Sequence, residues 1–471
     1  MKTNSIFRHI TGPILSLMMV FALVAFTGCN DDDDAAPTES IVAIAQSQPN
    51  LSSLVTALTK YPDLVSTLSG SGQFTVFAPT NDAFSALLAA VGQTSINDVP
   101  ENVLKSLLQY HVVTSGAVLS TQLTAGNVTT ANGETIAVTT AGGIQFNNSA
   151  SVVTADVRAS NGVVHIVNQV LVPPSIAKFV NTVVEPAYFN KNFTTLIAAV
   201  TNASPSILTT LLNSSKKTLF APTNDAFIAA GITTLPNQAT LDAVLTYHVI
   251  GSEVRSNQLP TNTAPANSAI TTLGGVFYLS NRGSNGVFIN GRTRVTTTDI
   301  LADNGVVHVI DRTLMPPSQT IDQIVTSLSG GNPAQFTQLR AALNRVPALV
   351  TAASATSSNL TVFAPTDAAF QTLYTALSVT NVNQIDINLL TSVLQHHIVS
   401  SPTTATGRVF SRDLISGSVP TLNGNITINA TAATVTSGNG TVANIEVGTP
   451  ALINVLGTNG VIHTINRVLV P

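Results

Sequence analysis

One short block occurs three times at an unvarying interval, and this repetition limits the fold more than any other feature of the chain. The copies are Phe74-Thr-Val-Phe-Ala-Pro-Thr-Asn-Asp-Ala-Phe84, Thr218-Leu-Phe-Ala-Pro-Thr-Asn-Asp-Ala-Phe227 and Leu360-Thr-Val-Phe-Ala-Pro-Thr-Asp-Ala-Ala-Phe370. The phenylalanine before Ala-Pro-Thr is Phe77, Phe220 and Phe363, so the period is 143 residues both times. That is too long for a solenoid unit of roughly 20–50 residues. It is the length of a domain, and the 471-residue chain is therefore expected to hold three copies of one module.

Two further blocks recur in the same order. One is Leu107-Leu-Gln-Tyr-His-Val-Val113, matched by Val244-Leu-Thr-Tyr-His-Val-Ile250 and Val393-Leu-Gln-His-His-Ile-Val399. The other is Asn161-Gly-Val-Val-His165, matched by Asn304-Gly-Val-Val-His308 and Asn459-Gly-Val-Ile-His463, each running on to a proline at 173, 316 or 471. The three blocks, in order and three times over, resemble the fasciclin (FAS1) domain family. The resemblance spans residues 40–471 and implies an α+β fold, with a wedge or sandwich of strands packed beside several helices. It also implies adhesion or extracellular binding without catalysis. The candidate contact residues it implies are the Tyr-His pairs Tyr110, His111, Tyr247 and His248, together with His397, where His396 stands in place of the tyrosine. Module boundaries are expected near 40–174, 176–317 and 321–471, with the proline pairs at 173–174 and 316–317 ending the last strand and stiffening the joints.

The residues can also be read without the family. Phe-Thr-Val-Phe is a β-branched and aromatic run closed by Ala-Pro, which predicts a buried strand. Thr80 or Asn81 then caps a helix, with Asp82 in its first turn where a carboxylate suits the helix dipole. Asp225 and Asp367 are read the same way, as structural rather than catalytic acids. Leu104, Leu107, Leu108 and His111 share one helical face, as do Leu241, Val244, Leu245 and His248, and Leu390, Val393, Leu394 and His397. Each of these histidines is expected to join the helix end to the next strand. Asn-Gly signals a hairpin turn. The strand after it is apolar on both alternations and should be central, which places His165, His308 and His463 in the core. Asp156, Asp299 and Asn454 fall on the opposing arm, where they are candidates to partner the histidine or the turn.

Charged residues make up 9% of the chain against about 25% in a typical soluble domain. Such a surface suits a wall, matrix or secreted setting. The formal net charge is −4, with no basic cluster, which argues against a nucleic-acid partner. There is no tight histidine or cysteine spacing for zinc and no hydrolase or phosphate-loop motif. No metal, cofactor or catalytic residue is therefore expected.

The first residues carry Lys2 and Arg8, then an apolar run from Ile14 to Phe26, then Thr27-Gly28-Cys29 and an acidic stretch at 31–34. This order reads as a secretory signal over residues 1–28. Phe26-Thr27-Gly28-Cys29 resembles a bacterial lipobox, in which the cysteine becomes the lipidated first residue of the mature chain. Residues 29–39 read as an acidic tether. The expected location is the outer membrane, reached through lipid on Cys29 and facing either the cell surface or the periplasm. The leading expectation is a surface-anchored adhesin for an extracellular protein or polysaccharide. The alternative is an extracytoplasmic carrier of a small apolar ligand.

Overall fold

The computed structural model describes residues 37–399, 407–445 and 452–471. The signal segment, Cys29 and most of the acidic tether lie outside the described residues. At the tether's end, the Glu39 carbonyl already accepts a hydrogen bond from Ser160 N–H at 2.8 Å.

In the first module, three helices (Ile41–Ser47, Ser52–Leu58 and Pro62–Ser69) precede the strand Phe74–Pro79. Helices Asn81–Ala90 and Glu101–Tyr110 follow, and then the remaining strands. Phe74–Pro79 pairs in parallel with Gly162–Val167, which lies between it and the long strand Ala150–Ala159. The sheet continues through Gln145–Phe146 and Thr135–Thr139 to Gly126–Thr129. The second module repeats this seven-strand order, with Lys217–Pro222 and Gly305–Ile310 as its parallel pair. In the third module the described strands form two four-stranded sheets, joined across the Ile445–Ile465 bridge.

The long antiparallel strand bends the sheet. Register shifts fall between Val152 and Thr154 and between Thr154 and Val157, with Asp156 at φ 61°. Asp299 repeats this at φ 62° in the second module. An extra residue in one arm of a ladder kinks and twists it, so the far half of the sheet folds over the near half. Helices cover one face of the parallel pair. Between the halves lies a second core built from Phe77, Tyr110, Ile136, Phe146 and Val167. Covered on both faces, Phe74–Pro79 and Gly162–Val167 are buried at every position, as the unbroken apolar runs anticipate. The proline pairs do not end these strands. The first stops at Val167, and Pro174 instead opens the short helix Pro174–Ala177, where a proline's missing N–H costs nothing.

The joint between the first two modules buries Ile176 and Phe189 in the first module's core and is polar at its rim, where Lys191 Nζ meets the Asn97 carbonyl at 3.1 Å and Asp98 at 3.5 Å. The joint between the second and third is buried. Asp413, fully buried, accepts hydrogen bonds from Asn267 Nδ2 at 2.9 Å, Ser280 Oγ at 2.6 Å and Arg282 Nη2 at 2.6 Å, all in the second module. Arg408 lies 4.7 Å from the Tyr278 ring centre and Arg412 4.4 Å from that of Phe288.

Candidate functional site

The Tyr-His pair closes the helix Glu101–Tyr110, with His111 as its C-terminal cap. The apolar helical face read from the sequence points into the core and carries both side chains inward: Tyr110 is 0% and His111 2% exposed. His111 Nδ1–H donates to the Leu107 carbonyl at 2.7 Å, and Nε2 accepts from Leu171 N–H at 2.8 Å. His248 does the same with Val244 at 2.7 Å and Leu314 at 2.9 Å. His397 does so with Val393 at 2.7 Å and Leu469 at 2.9 Å. Each ring is thus a neutral imidazole with both nitrogens used. It ties the helix end to the segment after the module's last strand, not only to the strand that follows it in sequence.

Tyrosine makes a second tie. Tyr110 Oη donates to the Thr135 carbonyl at 2.7 Å and accepts from Asn147 Nδ2 at 3.0 Å. Tyr247 Oη donates to Val276 at 2.9 Å and accepts from Asn290 Nδ2 at 3.3 Å. Asn147 and Asn290 both sit at φ 50°, a backbone conformation that asparagine tolerates well. Sequence reasoning missed them. The signal was there, an asparagine a few residues before the bent strand in both modules. In the third module His396 is too short to reproduce the contact. Its Nδ1 meets the Asn423 carbonyl at 2.5 Å, while its buried Nε2 has no partner among the described residues.

The pairs therefore hold a surface rather than form one. The hairpin turn they anchor is exposed. Leu273 and Leu422, 49% and 47% exposed, occupy the same place in the second and third modules. Their backbone N–H groups bond to the Val249 and Ile398 carbonyls at 2.8 and 2.9 Å, directly after the Tyr-His and His-His steps. In the first module Ala131 takes that position. The nearby Glu134 accepts hydrogen bonds from Ser175 N–H at 2.9 Å and Oγ at 2.6 Å at the start of the following segment.

His165, His308 and His463 are fully buried in the central strands. Their rings lie 5.9, 5.3 and 5.6 Å from those of Phe77, Phe220 and Phe363. His165 Nε2–H donates to Val118 O at 2.9 Å, and Nδ1 accepts the Asp156 N–H at 3.3 Å. His308 repeats both bonds, with Val254 at 2.9 Å and Asp299 at 3.3 Å. So Asp156 and Asp299 meet the histidine through their backbone. Their carboxylates accept hydrogen bonds from Ser120 and Ser256 at the start of a short helix, with Asp156 Oδ1 still 3.9 Å from His165 Nδ1. In the third module Asn454 bonds to Ser411, and His463 Nδ1 is left without a partner among the described residues.

Thr80, Thr223 and Thr366 cap their helices through Ala83, Ala226 and Ala369 N–H. Asp82 and Asp225 are exposed in the first turn. Asp367 also stands in the first turn of its helix, at the position of Asn81 and Asn224 rather than of Asp82. All three reach across to cap a neighbouring helix, at Ser53, Thr195 and Gln338 N–H.

The sequence reading of Asn161, Asn304 and Asn459 as turn residues was incomplete. Each amide is buried and joins three segments. Asn304 Oδ1 accepts from Val183 N–H at 2.8 Å, while Nδ2 donates to Leu211 at 2.9 Å and Asn213 at 2.8 Å. Asn161 and Asn459 make the same three bonds in their modules. Among the described residues there is no histidine, cysteine or acidic cluster that could hold a metal, and no helix is long and apolar enough to cross a membrane.

The buried histidines set a pH dependence. Burial, partly offset by a carbonyl partner, pushes His111, His248, His397 and His463 each down to about 4. The unfolded chain titrates near about 6.5, so it binds more protons than the folded chain between these values. Stability is then fully present above about pH 6.5 and is lost as the pH falls through about 4. Thermal melts over this range should show Tm falling steadily with acidification. A Tm that stays level down to about pH 4 would contradict these assignments.

A model of the fasciclin domain matches residues 49–173, 191–316 and 334–471. Protein sll1483 of Synechocystis is 43% identical over 141 residues, covering 30% of this chain and 76% of that protein. Transforming growth factor-beta-induced protein ig-h3 of Sus scrofa is 30% identical over 254 residues, 53% of this chain but only 36% of its own length. Immunogenic protein MPB70 of Mycobacterium bovis is 34% identical over 164 residues, 31% of this chain and 81% of that protein. Among solved structures, a FAS1 domain pair from the insect cell adhesion molecule fasciclin I aligns at 18% identity with a TM-score of 0.28, covering 59% of this chain and 97% of the pair.

Proposed function

Because this chain belongs to the fasciclin domain family and carries three of its domains in series, we propose that it is a non-enzymatic adhesion lipoprotein. In this reading Cys29 bears the lipid, the outer membrane holds the anchor, and the modules near 40–174, 176–317 and 321–471 face outward toward an extracellular protein or polysaccharide. The observation that carries the reading is the repeated exposed turn held by buried Tyr-His and His-His steps, with Leu273 and Leu422 standing nearly half exposed at matching positions. Side chains so exposed contribute nothing to the core they stand on. Two weak contacts on one tether gain strength by effective concentration, which suits a polymeric or matrix partner.

The test is adhesion of cells displaying the full chain to immobilised matrix protein and polysaccharide. Cys29→Ser should abolish palmitate labelling and release the protein from the cell. Leu273→Asp with Leu422→Asp should keep the protein displayed and its Tm unchanged, yet lower adhesion several-fold. Undiminished adhesion by the double variant would refute the role of the turns. Equal palmitate labelling of Cys29→Ser would refute the anchor.

A further inference from the structure

Every lysine of the chain precedes Thr218, and arginines then gather around the joint between the second and third modules. A cleft of about 410 Å³ opens there. Arg292 and Arg312 line it, and no acidic side chain among the described residues does. The sheet register places them together. Val295 pairs with Ile310, and Asp311 N–H bonds the Arg294 carbonyl at 3.1 Å. Continuing that ladder sets Arg312 opposite Thr293 and Arg292 opposite Thr313. The adjacent acid Asp311 accepts the Arg294 N–H at 2.8 Å and does not line the cleft.

Three observations point to an anion as the ligand. Arg312 is held in place through Nη1 on the Ala229 carbonyl, a neutral partner, and the adjacent Asp311 offsets its charge only in part. Burial first, and then the charge of Arg292, holds the Arg312 guanidinium below its ordinary range. Thr313, 3% exposed, lines the same cleft, and its hydroxyl has no hydrogen-bond partner among the described residues. Buried polar groups left unpaired are uncommon in folded proteins. Beside the charges lies an apolar wall of Leu314, Met315 and Pro316, with Met315 45% exposed.

We propose that this cleft binds a carboxylate-bearing ligand, the charge taken by Arg292 and Arg312 and the carbon skeleton lying on the Leu314–Pro316 wall. Guanidinium suits a carboxylate because its N–H groups match the two oxygens of the planar anion. A free organic acid and a uronic-acid unit of a polysaccharide share this chemistry. The inference draws on the extracellular-binding reading only for the second of these sources.

Calorimetric titration of the full chain should use three probes: a monomeric uronate, a hexameric oligouronate and a neutral glucose hexamer. Binding of the acidic probes with none of the neutral one is expected, weakening as salt rises. Equal affinity per site for monomer and hexamer would identify a small-molecule site, and binding of the hexamer alone a polymer site. Arg292→Gln should weaken binding at least tenfold without moving Tm, since its side chain is exposed. Arg312→Gln should weaken binding at least as much, with some loss of Tm from its bond to the Ala229 carbonyl, while Lys60→Gln in the first module should change nothing. Absence of carboxylate binding at millimolar concentration, or binding that survives both arginine variants, overturns the proposal. Adhesion through the leucine-bearing turns, measured separately, would persist in that case, so the two readings fail independently.

Discussion

Asp413→Ala is expected to cost the paired second and third modules about 3–5 kcal/mol, the range for removing one partner of a buried ion pair. The Asp413 carboxylate takes hydrogen bonds from Asn267, Ser280 and Arg282. Arg282 is itself 12% exposed at the side chain, and its Nε and Nη1 have no other partner among the described residues. Without the carboxylate a guanidinium stays in the interface with nothing to balance it. The modules can escape this by separating, so the loss cannot exceed the free energy of their docking. The full chain should therefore change from one shared unfolding transition for these modules to two resolved ones in calorimetry. Asp413→Asn keeps an acceptor but not the charge and should lie between. A variant whose transitions stay merged and unshifted would show that the clasp does not couple the modules.

Gly305→Ala should be as damaging from a single methyl group. Gly305 has φ 150°, and a Cβ there would stand 1.9 Å from the Lys217 carbonyl oxygen. That oxygen belongs to the parallel partner strand, in register with Gly305. It is backbone and cannot swing aside, so relief requires separating the two central strands. A loss of about 3 kcal/mol or more is expected from the clash and backbone strain together, against a typical domain stability of about 5–15 kcal/mol. Gly283→Ala is the control. It also has positive φ, at 59°, but open space where the Cβ would go, so it should cost only about 1 kcal/mol. Urea unfolding of the full chain would measure both. Similar midpoints for the two variants would mean that the close approach of the strands contributes little.

Much of the candidate site was legible because its determinants are local. The apolar face ending in His111, His248 and His397 follows from helical spacing, and it correctly places these rings against a core. The same spacing could not show that both ring nitrogens are consumed. Leu171 lies 60 residues from His111, and Leu314 lies 66 from His248. The family resemblance pointed to the Tyr-His side chains as contact residues, but burial assigns the exposed surface to the turns they hold. Asp367 lies in the first turn of its helix, as the sequence suggests. The equal Thr-to-Phe spacing of the three copies aligns it with Asn81 and Asn224, and its bond to Gln338 N–H shows that it also does their work of capping a neighbouring helix.

By itself the sequence determined the three-fold repetition, the family, the buried strands, the hairpin at each Asn-Gly and the helix starts at Thr80, Thr223 and Thr366. Each of these depends on residues close together in the chain, where periodicity, turn chemistry and capping act directly. Tertiary structure decided what the buried polar groups are for. Asn304 became a three-way junction because the fold brings Val183, Leu211 and Asn213 to one amide. Asp413 matches Gln122 and Gln258, whose side chains bond back to their own helices at Leu119 and Arg255. One methylene shorter and charged, Asp413 instead reaches into the second module. Periodicity reports that a side chain faces inward. The partner it meets there is set by which distant segments the fold brings together, and no local pattern encodes that.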